Sequence, residues 1–299
     1  MKRSLLATSL AALLAPALFP IASAQAQPNL AEAQVNALEG LAGPQPGFRR
    51  SGAKGICASG HFVGNTAGRA LTTASAFSGA KVPVVARFSV GGGSPKASDK
   101  SKSVRGLALT FQLPGNETWQ MANISAPVFF VARPEQFAPF VQARTADPAT
   151  GKPDPEKLKA FNAANPETLR QSAYLAQAPV PASYGAVNYW GVNAFEFVNA
   201  KGESRFARWQ FVPEAGTQGL SDEQLKAMPD DFLAGELRQR VAAKPVVFDM
   251  KLQLAEAGDN LTDPTVAWPD GRQLVPVGQL VIDKVEAGMG GACDGMTFN

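Results

Sequence analysis

Stretches of period-two hydrophobicity and stretches of helical spacing succeed one another along the chain, and their order predicts the fold. Leu30, Ala31, Val35, Leu38 and Leu41 recur at helical intervals, so residues 28–50 read as a short helix and a loop, ended by Pro44 and Pro46. Strands follow at 60–63, at 82–90 (β-branched and alternating), at 105–113 and at 127–132. Gly91-Gly92-Gly93 stops the second and Pro114-Gly115-Asn116 the third. The middle turns helical. Pro134 opens a helix over 134–143, and Asp154-Pro155 and Asn165-Pro166 place a capping residue before an N1 proline for helices reaching about Ala163 and Gln177. Alternation returns at 190–198 and 204–212 around Asn199-Ala200-Lys201-Gly202, a hairpin. Ser221 to Gln224 is a capping box for a short helix, 230–242 is a second helix, and 246–254 and 275–282 are strands. Seven or eight antiparallel strands with helices inserted mid-chain predict an α+β fold around a β-barrel. Without an internal linker, residues 27–299 read as a single domain.

The first 26 residues stand apart. Met1-Lys2-Arg3, an apolar run and the small residues Ala22-Ser23-Ala24 have the order of a secretory signal peptide, cut after Ala24 or Ala26. The expected location is therefore outside the cytoplasm, periplasmic if the source is bacterial, with no membrane attachment after cleavage. The formal charge of +3 includes Lys2 and Arg3, so 28 basic residues become 26 against 25 acidic ones, or +1. That balance implies no nucleic-acid partner. Export also bears on Cys57 and Cys293: two buried free thiols remain open, but an oxidising compartment favours one long-loop disulfide.

One histidine excludes any site needing several imidazoles, and two cysteines exclude a four-cysteine cluster. Gly91-Gly92-Gly93 lacks the Gly-Lys-Ser/Thr continuation of a phosphate loop and reads as a turn. His61 lies in an alternating strand with no nucleophile elbow elsewhere, so it reads as structural. Asp230-Asp231 read as helix caps rather than paired catalytic acids.

One ordered set of segments does carry chemistry: Arg49-Arg50-Ser51-Gly52-Ala53-Lys54-Gly55, Gly60-His61-Phe62, Arg87-Phe88-Ser89, Val104-Arg105-Gly106-Leu107-Ala108, Pro127-Val128-Phe129-Phe130, and Val198-Asn199-Ala200-Lys201-Gly202. In order and spacing it resembles the haem catalase family, and most of all its small exported catalase-related peroxidases. The resemblance spans about residues 45–299. It implies haem b inside the barrel, hydrogen peroxide or an organic hydroperoxide as substrate, and an unidentified reductant; the oligomeric state is open. By position it implies that Arg49 and Arg87 hold the haem propionates, that Ser89 serves the distal base, and that Phe129 and Phe137 line the channel and pack on the haem. Guanidinium groups suit buried carboxylates.

Three positions depart from the family. Gly52 stands where the distal histidine belongs. The partner asparagine falls at Ile124, and Asn123 is one residue away, a shift that reverses facing in an extended segment. The axial tyrosine belongs to a later helix, and Tyr174, Tyr184 and Tyr189 all lie upstream, so no iron ligand is identified and the chain reads as C-terminally truncated. The expected peroxidase activity is therefore weak or absent. The alternatives are a non-catalytic barrel that binds haem weakly or takes another apolar acid, or a decayed copy.

Overall fold

The computed structural model describes residues 29–286 and 291–298; the signal-peptide expectation lies outside them. Nine strands form one antiparallel sheet: β1 (Gly55–Gly64), β2 (Lys81–Val90), β3 (Arg105–Gln112), β4 (Thr118–Ile124), β5 (Tyr189–Trp190), β6 (Phe195–Val198), β7 (Ser204–Pro213), β8 (Val246–Leu254) and β9 (Leu274–Val285). The order is β5-β4-β3-β2-β1-β9-β8-β7-β6, and a β5–β7 pairing closes eight of these strands into a barrel, leaving β6 outside on β7.

Alternation decides which residues fill it. Ala58 and Phe62 of β1, Val84, Ala86 and Phe88 of β2, Leu107, Leu109 and Phe111 of β3, and Phe211, Phe248, Met250 and Leu280 from the far side share one buried core. Phe62 meets Phe77 and Phe111 edge to face at 5.7 and 5.4 Å. Truncating a ring of this kind to alanine costs about 3–5 kcal/mol.

Helices cover the rest. α1 (Leu30–Ala42) starts where Asn29 Oδ1 accepts from the Ala31 amide and stops at Gly43, whose φ of 72° favours glycine. α2 (Thr66–Leu71) follows β1. α3 (Phe137–Gln142), α4 (Pro155–Ala164) and α5 (Leu169–Gln177) are inserted between β4 and β5, and α6 (Asp222–Ala227) and α7 (Phe232–Ala243) between β7 and β8. The Ser221–Gln224 capping box forms as the spacing predicts. The cap of α7 does not come from Asp230 or Asp231. Buried Asp99 accepts from the Leu233 amide at 2.8 Å and pairs with Lys54 at 2.8 Å, while Asp230 turns outward to Ser98.

Two strand expectations change. Residues 127–132 join no sheet: the Phe129 amide donates to Pro264 O at 2.8 Å and Gln171 Nε2 donates to Val128 O at 2.8 Å, so the segment's polar groups are met by loop and helix. The predicted strand over 190–198 is two, β5 and β6, separated by a bend over 191–194, and β4 appears where no strand was predicted.

Candidate functional site

The barrel interior has no room for a cofactor, because aromatic and aliphatic side chains fill it. The candidate residues expected around haem line a groove on the opposite face of β2–β4. Its volume is about 330 Å³, near the lower end of ligand clefts, which run roughly 300–1,000 Å³. Strand period places the walls. Ala86 and Phe88 turn into the core, so Arg87 and Ser89 turn out; Gly106 and Ala108 alternate with core Leu107 and Leu109; Ala122 and Ile124 flank inward Asn123. Arg49, Ser51, Gly52, Gly91, Val104, Thr297 and Phe298 also line it.

Arg87 is nearly buried. Its Nη1 donates to Gly52 O at 2.7 Å and its Nη2 to Ala53 O at 3.3 Å, while Nε is buried with no partner. Burial lowers its pKa, as does the neighbouring charge of Arg49; Asp294 acts in the opposite sense. Arg49 Nη2 donates to Cys293 O at 2.7 Å and Asp294 O at 3.2 Å, and its guanidinium lies 5.5 Å from the centre of the Phe298 ring. Both cations thus take neutral carbonyls as hydrogen-bond acceptors. A second recess of about 240 Å³ gathers Arg49, Lys54, Arg87 and Asp294.

Gly52 faces Ser89. A β-carbon built on Gly52 would stand 3.0 Å from Ser89 Oγ and 3.6 Å from Arg87 Nη1. Four of the sequence-predicted positions, Arg49, Gly52, Arg87 and Ser89, therefore converge on one groove. Asn123 points the other way: its Oδ1 accepts from Trp209 Nε1 at 2.6 Å and its Nδ2 donates to Leu107 O at 2.9 Å, within the barrel. Ile124 holds the groove-facing place. Phe129 and Phe137 do not line the groove. They join Phe130, Phe140 and Phe161 in a separate aromatic cluster, where Phe130 lies 4.3 Å from Phe129 and 5.2 Å from Phe137, because α3 carries Phe137 onto α1.

Cys57 and Cys293 are joined by a disulfide with Cα atoms 5.5 Å apart. Segment 291–298, which spacing and periodicity do not single out, crosses the groove: Cys293 sits on β1, and Thr297 O accepts from Gln120 of β4 at 2.8 Å.

A family model described as Catalase matches residues 48–289. The chain belongs to the catalase family. Within it, this chain is 44% identical over 265 residues to a catalase-related peroxidase of Synechococcus elongatus, covering 89% of this chain and 78% of that one. It is 34% identical to a catalase-related peroxidase of Mycolicibacterium paratuberculosis, covering 83% and 78%. These place the catalase-family chain in the catalase-related peroxidase group. Catalase A from Saccharomyces cerevisiae shares the fold, with a TM-score of 0.72 at 21% identity, covering 81% of this chain and 52% of that one. A bacterial catalase superposes with a TM-score of 0.71 at 23% identity, covering 79% of this chain and 48% of that one, so the chain spans about half the length of these solved catalases.

Family membership implies haem. The groove's donor set fits one half of that group: two guanidiniums, one with an orphaned buried Nε, suit a pair of carboxylates. It does not fit the other half. Among the described lining residues there is no tyrosine, histidine, cysteine or methionine side chain to meet iron. Tyr184 and Tyr189 lie in the core, Tyr174 lines a different recess, and His61 Nδ1 pairs with Asp283 at 3.3 Å. The residues present do not make a complete haem site.

Proposed function

We propose that this chain is an exported catalase-related protein, periplasmic if bacterial, whose action on hydrogen peroxide or organic hydroperoxides is weak or absent. The observation that carries this reading is Gly52 opposite Ser89, with no proton-transferring side chain between them. Cleaving an O–O bond heterolytically moves a proton from one oxygen to the other. A placed base contributes about a hundred- to ten-thousand-fold to such a step. Glycine has no group to offer, Ser89 Oγ has no base behind it among the described lining residues, and Ile124 presents hydrocarbon where an amide would hold the peroxide. Arg87 has a different role, since its two bonds to Gly52 O and Ala53 O fix the loop that forms the groove's edge.

The deciding experiment is peroxide consumption, with an organic electron donor present, by the full chain purified with added haem. Turnover is expected about a hundred- to ten-thousand-fold below that of an intact relative assayed alongside. Turnover equal to that relative's overturns the proposal.

A second reading rests on the arginines. A groove with two cations that hydrogen-bond neutral carbonyls, beside apolar Ala108, Ile124 and Phe298, suits an amphipathic carboxylic acid. Binding without turnover is its expected signature.

A further inference from the structure

Segment 291–298 brings side chains of ligand-like chemistry to the edge of the groove. Asp294 brings a carboxylate into the recess formed by Arg49, Lys54 and Arg87 and acts on the Arg87 charge as an anion would. Phe298 brings an aromatic ring to the groove, beneath the Arg49 guanidinium. Together they present the two halves of an amphipathic acid, spaced along one strip of backbone.

Polar contacts attach it, among them the Cys293 amide to Cys57 Sγ at 3.2 Å. Glu286 accepts from the Ala292 amide at 3.1 and 3.0 Å, Arg49 holds the Cys293 and Asp294 carbonyls, and Gln120 holds the Thr297 carbonyl. These contacts are polar and mostly solvent-exposed, and the segment forms turns rather than a helix or strand. Such segments open locally at low free energy. The covalent anchor is the Cys57–Cys293 disulfide.

The disulfide is not needed to close the barrel. β9 already pairs with β1 from Gly64↔Gly278 to Ala58↔Val285, and the Glu286 amide donates to Cys57 O at 3.0 Å. Among the described residues, the bond therefore fastens the segment over the groove, 291–298, to β1.

We propose that residues 291–298 are a disulfide-latched flap that forms one wall of the groove, and that a dithiol reductant opens it. The step is a thiol–disulfide exchange. The reductant's thiolate attacks one sulfur, the Cys57–Cys293 bond breaks, and the reductant's second thiol resolves the mixed disulfide. Two electrons pass from the dithiol to the cystine. The reductant leaves as a disulfide, and Cys57 and Cys293 are left as thiols carrying its two protons. Cys57 and Cys293 are 1% and 0% exposed, so exchange waits on local opening of the segment. The proposal stands on the groove geometry alone, whatever the groove receives.

The test compares the oxidised full chain with the same chain after dithiothreitol, by hydrogen exchange and by binding of anilinonaphthalene sulfonate, an aromatic anion. On reduction, amide protection in 291–298 is expected to fall about tenfold or more while the β1, β8 and β9 amides keep theirs. One dye site per chain should appear, and Arg49→Gln should remove it. Cys293→Ser should behave as the reduced chain without reductant. A cystine that resists dithiothreitol, a reduced segment that stays protected, or a dye site absent or indifferent to Arg49→Gln overturns the latch. Loss of protection throughout the barrel overturns it too, because the disulfide would then be a fold staple.

Discussion

Gly52 adopts φ +61°, in the left-handed region, and its missing β-carbon faces Ser89 Oγ. A side chain there is penalised twice, in backbone conformation and in crowding. Gly52→Ala should lower stability by about 1–2 kcal/mol in urea denaturation. Gly52→His carries the same penalty, so returning the imidazole alone does not rebuild a relay. The buried tyrosines set a second residue-scale expectation. Burial pushes the Tyr184 and Tyr189 phenols up, and Asp99 raises Tyr184 further. Because the folded pKa exceeds the unfolded one, their contribution is complete below about pH 10 and lost as pH rises above it. Phenolate absorbance followed against pH should show these two ionising only as the chain unfolds. Reversible ionisation of all three tyrosines near pH 10 in a folded chain would refute this. Much at this scale was legible: Arg49, Gly52, Arg87 and Ser89 meet as the resemblance to the family implies. Phe129 and Phe137 were not, because which neighbour an aromatic packs against is settled by tertiary contacts rather than by local pattern.

At the scale of elements, long alternating runs read true and short or mixed ones did not. β2 and β8 have apolar inward positions throughout, so period two shows; β3 has them after buried Arg105, and β9 has them on both sides of its bulge. β4 hides because its inward series is Trp119, Met121 and then a polar Asn123. That asparagine is tolerated only because Trp209 and Leu107 satisfy it. Trp209→Phe should therefore cost about 1–3 kcal/mol by leaving Asn123 Oδ1 buried and unpaired, measurable as a shifted urea midpoint with an unchanged slope. A midpoint equal to the parent's would show that the bond contributes nothing. The apolar run at 127–132 misled for the converse reason: it bends, burying Val128 and Val131, and its hydrogen bonds go to Pro264 and Gln171 rather than to a neighbouring strand.

Across the whole molecule, a closed barrel packs its interior solid and displaces the site to its outer wall. Closure depends on β5 meeting β7, a pairing between a two-residue strand and a ten-residue one that no local pattern announces. The outer wall carries Arg49, Arg87 and Ser89 together with Gly52 and Ile124, and neither of the last two can transfer a proton. Segment 291–298 then lies across it. A groove so furnished should neither hold haem tightly nor put peroxide through it quickly. The direct measurement is a haem titration of the oxidised full chain, followed by Soret absorbance and peroxide consumption on the same sample. A weak, non-stoichiometric Soret change with slow turnover is the predicted result. A stoichiometric, tightly bound high-spin haem with brisk turnover would contradict it.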